Sequence, residues 1–119
     1  MLSENIMPRK SKISESPPAA VQDTLERLGR NIRTARLRRK LRQEDLARRV
    51  GVSRFVVADI EKGKPTTAVA AYMGALWALG LADNMRDVAD PDRDEEGKIL
   101  ERARGPKTAR SRGTPSDDF

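Results

Sequence analysis

Histidine and cysteine are both missing from this chain, and with them go the commonest acid–base, nucleophilic and metal-binding side chains. There is also no glycine-rich phosphate loop. Carboxylates remain, but they gather in solvated runs such as Asp90–Glu96, without an apolar setting to tune them. No enzyme, cofactor or metal site is expected. The abundant chemistry is cationic, and it is unevenly spread. Residues 21–64 carry thirteen Lys/Arg against six Asp/Glu, residues 65–81 carry no charge, and residues 82–119 are slightly acidic. A basic run such as Arg30 to Arg42 is often only a solvated helix face. Concentrated in one segment of a chain of net charge +6, it points to a polyanionic partner.

The elements that would position those cations centre on Gln43–Lys62. Leu46, Ala47 and Val50 make an inward stripe on a helix of about two turns. Gly51 ends that helix, since the residue just past a helix end often takes a left-handed conformation. Ser53 caps a second helix that Val57 and Ile60 point into the same core and Gly63 stops. Ala47 is small where the two helices cross. The spacing predicts a short helix, a tight turn and a second helix.

Around this unit, 119 residues allow one small domain with tails. Residues 1–20, with Pro8, Pro17 and Pro18, read as a disordered arm; Arg9, Lys10 and Lys12 either reach a polyanion or merely solubilise it. Met7 is a possible alternative start. A first helix is expected from about Asp23, with Asp23 and Glu26 as a capping box and Val21, Leu25, Leu28, Ile32 and Ala35 inward. Leu41 plugs the connection that follows.

Pro65–Leu81 is apolar or neutral but short for a bilayer span. Val69, Tyr72, Met73, Leu76 and Leu79 recur at helical spacing with alanines around the rest, so the helix wants burial on more than one side. A plain core helix is one reading; a self-association surface near Trp77 and Leu81 is the other. Asp83–Ala89 is expected as a short helix with Met85, Val88 and Ala89 inward, followed by an Asp90-Pro-Asp turn. Asp94–Arg104 is expected as a further helix through Ile99, Leu100 and Ala103, weakened by Gly97. From Gly105 the chain reads as a disordered tail. The expected organisation is an arm over 1–20, a domain over 21–90 and an extension over 91–119. Lack of cysteine suits a reducing compartment such as a cytoplasm.

Over Leu28–Leu81, and most specifically over Gln43–Gly63, the chain resembles the phage-repressor or Cro-type helix-turn-helix proteins, the XRE family. The resemblance implies an all-α, five-helix phage-repressor-like domain with disordered N- and C-terminal extensions, acting as a homodimeric repressor on a double-stranded DNA operator. It implies that Gln43, opening the second helix, contacts a phosphate. It implies that Ser53, Arg54 and Phe55, at the exposed start of the third, and Asp59 one turn on, lie against the bases. Lys62 and Lys64 fall where backbone contacts are common, and Arg36 and Glu61 where an internal ion pair forms. Two departures stand out. Arg42 replaces the usual capping Ser/Thr before Gln43, leaving that helix start less well satisfied. Phe55 and Val56 are apolar where polar readers are common. Arg54 can fork onto guanine and Phe55 can touch a thymine methyl, while Asp59 either accepts from cytosine or orients Arg54.

Gly63–Leu81 further resembles regulators encoded beside kinase-like toxins of the HipA type. That implies an autoregulating antitoxin with a HipA-like partner; the alternative is a stand-alone regulator. In the antitoxin case Asp94–Arg112 is expected to help hold the toxin.

Overall fold

Two prolines set the first break in the chain. The structure, a computed structural model, describes residues 11–105, and its first long element starts directly after Pro17-Pro18. One turn of helix, α1 (Lys12–Glu15), precedes it, capped by the Ser11 hydroxyl. Helix α2 runs Ala19–Arg38, about 30 Å at the usual rise per residue. Its start lies four residues ahead of the expected one. Ala19 and Ala20 are strong helix formers, and Pro18 fits the extended N-cap (φ −56°, ψ 151°). Asp23 and Glu26 therefore sit inside the helix and make no capping box; Glu26 accepts from the Gln22 side chain instead. Val21 is exposed, so the inward stripe begins with half-buried Leu25.

Helices α3 (Gln43–Val50), α4 (Arg54–Lys62) and α5 (Val69–Ala78) complete the first unit, which extends to Asp83. Helix α4 is central, packing on α2, α3 and α5. Ile32, Leu46, Val57 and Ile60 are fully buried, joined by Tyr72, Ala75, Leu76 and Leu79 from α5 and its end. Burying one such aliphatic side chain contributes about 1.5–3 kcal/mol, so this small cluster is the main source of stability. Two glycines let the backbones close up. A Cβ on Gly29 would lie 2.5 Å from the Ile60 carbonyl oxygen, and one on Gly63 would lie 2.6 Å from the Glu26 backbone. Neither contact can be relieved by a side-chain rotation.

The second unit begins at Asn84. The helix expected over Asp83–Ala89 is not α-helical. A 3-10 turn covers Ala82–Met85, Val88 is exposed, and Ala89 is left-handed (φ 60°). Short Asp and Asn side chains compete with the backbone there, and Pro91 disfavours the α conformation at Asp90. Asp90 caps a second 3-10 turn, Pro91–Arg93. Helix α6 spans Glu95–Arg104 with Asp94 accepting from the Gly97 N–H. Gly97 was expected to weaken this helix. Instead its bare Cα makes room for the cap, because a Cβ there would strike the Asp94 carboxylate. Ile99 and Leu100 are exposed on α6. Among the described residues all regular structure is helical. Met7, Arg9, Lys10 and the tail beyond Gly105 lie outside them.

Candidate nucleic-acid interface

The α3–turn–α4 unit is built by caps. Gly51 takes φ 88° and its N–H bonds to the Ala47 carbonyl at 2.8 Å, ending α3. Ser53 is extended and its hydroxyl accepts from the Val56 N–H, opening α4. At the other end Gly63 (φ 72°) donates to Ile60, and Lys64 donates to Asp59, a Schellman closure. Val57 and Ile60 then anchor one face of α4, while Ser53, Arg54 and Phe55 stand exposed at its start.

Arg36 and Glu61 meet in the interior. The Arg36 Nε donates to Glu61 Oε2 at 2.6 Å and Nη2 to Oε1 at 3.0 Å. Arg36 Nη1 also donates to the Leu41 carbonyl at 2.8 Å, and Gln43 Nε2 to Glu61 Oε1 at 3.1 Å. One carboxylate on α4 thus ties down α2 and the start of α3. Among the described residues no buried side-chain polar atom lacks a partner. The Gln43 contact was not foreseen: part of its amide is spent inside the protein, which fixes the side chain at the surface where a phosphate contact was expected.

Arg42 leaves less of a defect at the start of α3 than its side chain suggests. Asp45, three residues on, accepts from the Arg42 backbone N–H at 2.8 Å, which is the reciprocal half of a capping box. That backbone bond, then the side chains of Arg42 and Arg48, hold the Asp45 carboxyl well below the usual carboxylate range. It therefore stays ionised, and two of the surface arginines are partly neutralised. An acid at the third helical position was the available sequence signal.

Asp59 does not take up Arg54. Its carboxylate lies 3.7 Å from Lys64 Nζ, because the left-handed turn at Gly63 folds Lys64 back over the helix end. The Arg54 guanidinium instead lies over the Phe55 ring, 5.0 Å from its centroid, an arrangement that contributes about 0.5–1 kcal/mol at exposed sites. Lys62 and Lys64 are exposed at the far end of α4. The Tyr72 hydroxyl donates to the Lys64 carbonyl at 2.8 Å and steadies the segment that follows. Burial, and secondarily the charge of Asp59, push its ionisation up to about 12. On α5, Trp77 is two-thirds exposed and Leu81, just beyond, is half-buried.

Two short helices joined by a tight turn, the second with an exposed start, are the arrangement of the helix-turn-helix class of small helical proteins. The helix-turn-helix domain family matches residues 27–89, more than half of the 119 residues, and the chain belongs to that family. Its coarse function follows: it is a DNA-binding regulator, of a family that is typically not enzymatic. No curated protein and no solved structure gives a match. Among the described residues no helix is long and apolar enough to cross a membrane, and no three His, Cys, Asp or Glu gather as metal ligands.

Proposed function

We propose that the chain is a sequence-specific transcriptional repressor that binds a double-stranded operator as a homodimer in the bacterial cytoplasm. The observation that carries this reading is the exposure of Ser53, Arg54 and Phe55 on a helix whose other face is locked by Val57, Ile60 and Glu61. Gln43, Lys62 and Lys64 flank that start and end and serve the phosphates. Asp59, paired with Lys64, shapes the charge beside them. Trp77 and Leu81 supply the self-association surface, since a large aromatic left exposed on a helix of the core has apolar area still to bury.

Selection from random duplexes by the full chain tests this. Two inverted half-sites about 34–36 Å apart are expected, one helical turn of DNA. Recovery of no consensus overturns the reading.

A finer form, an autoregulating antitoxin that also binds a HipA-like kinase, is favoured by one observation. Helix α6 exposes Ile99 and Leu100 together, in a unit separate from the one that carries α4. A stand-alone regulator remains the alternative, and the neighbouring gene distinguishes them.

A further inference from the structure

The outer surface of α4 offers few groups able to read a base edge, and the structure occupies most of them. Glu61 is buried and held by Arg36 and Gln43. Asp59 faces Lys64. Ser53 accepts from the Val56 N–H and keeps a single O–H, which can donate to a base but cannot fork onto one. Lys62 stands at the far end. Helix α4 contains no Asn or Gln, whose amides fork onto adenine. Arg54 and Phe55 are left at the exposed start.

The Arg54 guanidinium lies over the Phe55 ring. A guanidinium held over an aromatic ring still carries N–H donors at its edge for a ligand. The edge matches the paired acceptors O6 and N7 of guanine. Phe55 is 68% exposed and donates nothing, so its favourable partner in a major groove is a methyl group. Arg54 and Phe55 are consecutive residues at the exposed start of α4, with the guanidinium 5.0 Å from the ring centre, so the two groups a duplex would offer them lie close together.

We infer, on the reading of α4 as the base-contacting helix, that Arg54 and Phe55 jointly read a guanine adjacent to a pyrimidine bearing a C5-methyl group. Phe55 has two roles: it touches the methyl and it positions the guanidinium. Thymine and 5-methylcytosine both carry that methyl, so the recognised chemistry is shared between an ordinary and a modified base.

The test takes the duplex selected by the full chain and replaces single bases. Uracil in place of the thymine beside guanine removes only the methyl and should weaken binding about fourfold, the effect of one buried carbon. Placed at that same position, 5-methylcytosine should bind more tightly than cytosine by a similar factor. Exchanging the guanine for 7-deazaguanine, which lacks the N7 acceptor, should cost about tenfold, as for a hydrogen bond to a charged group. Phe55→Ala should abolish the difference between thymine and uracil and reduce the sensitivity to 7-deazaguanine. Phe55→Leu should keep the methyl effect while losing part of the guanine discrimination, which separates contact from positioning. Because Phe55 is exposed, both variants should retain the wild-type helical circular dichroism. A defined consensus on which uracil and 7-deazaguanine act like the natural bases overturns this inference and leaves sequence-specific binding standing. Failure to select any consensus overturns both.

Discussion

Arg36 and Glu61 face each other as a fork on a carboxylate, with 7% and 4% of their side-chain surfaces exposed. Their geometry joins α2 to the last turn of α4, so α4 is fixed at its end while its start stays open. Removing one partner strands a buried charge, and either Arg36→Ala or Glu61→Ala should cost about 3–5 kcal/mol in urea unfolding. Replacing both with apolar residues of similar volume should recover most of that loss. A double-mutant cycle with coupling near zero would mean the pair contributes nothing.

Arg54→Ala should cost about 1–3 kcal/mol on a selected site and little on random DNA. Lys62→Ala should weaken both alike and lower the salt slope by about one. Lys64→Ala should do the same to a smaller extent, because Lys64 shares its charge with Asp59. Fluorescence anisotropy titrations at several salt concentrations read all three. Equal losses on the two DNAs for Arg54→Ala would remove it from base reading.

Trp77 is the chain's single tryptophan and is two-thirds exposed, so its emission would change on burial in the proposed dimer. Dilution should shift that emission to the red as dimers separate. Trp77→Glu should give a folded monomer with poor operator affinity, whereas Leu81→Glu, at a half-buried position, should also lower stability. Sedimentation of the wild-type chain as a monomer at micromolar concentration, with and without DNA, contradicts the dimer.

Tyr72, the single tyrosine, offers a clean alkaline probe. Its ionisation in the folded protein is pushed up to about 12, above the ordinary value of 10. The neutral form is thus favoured by folding. The resulting stability is complete below pH 10 and is lost as pH rises toward 12. Tyrosinate absorbance should show a midpoint near 12 in the folded chain, and Tyr72→Phe should flatten the fall in stability over that window. A midpoint at the ordinary value would mean that the hydroxyl is solvated.

Deleting residues 94–119 tests the antitoxin reading. The family match ends at residue 89, so the truncated chain keeps the DNA-binding elements. Operator binding should survive while neutralisation of a co-expressed neighbouring kinase toxin fails. Full neutralisation by the truncated chain assigns the toxin contact elsewhere.

The central helices were legible because their signals are local. The stripe Leu46, Ala47, Val50, the cap at Ser53 and the stops at Gly51 and Gly63 each act within a turn or two, and each is where the pattern put it. The ends were not. Whether α2 starts at Ala19 or Asp23 depends on competition between two plausible starts, and Asp83–Ala89 has an apolar pattern too weak to outweigh its Asp and Asn residues. Sequence also marked which charged residues stand on and around α4, but not how their charges pair. That Asp59 takes Lys64 rather than Arg54, that Gln43 spends its amide on Glu61, and that Gly29 must lack a side chain beneath the Ile60 carbonyl are all decided in three dimensions. Helix periodicity and caps follow from neighbours in the chain, whereas ion pairing and close backbone approach follow from distances that only the packing of α2, α3 and α4 sets.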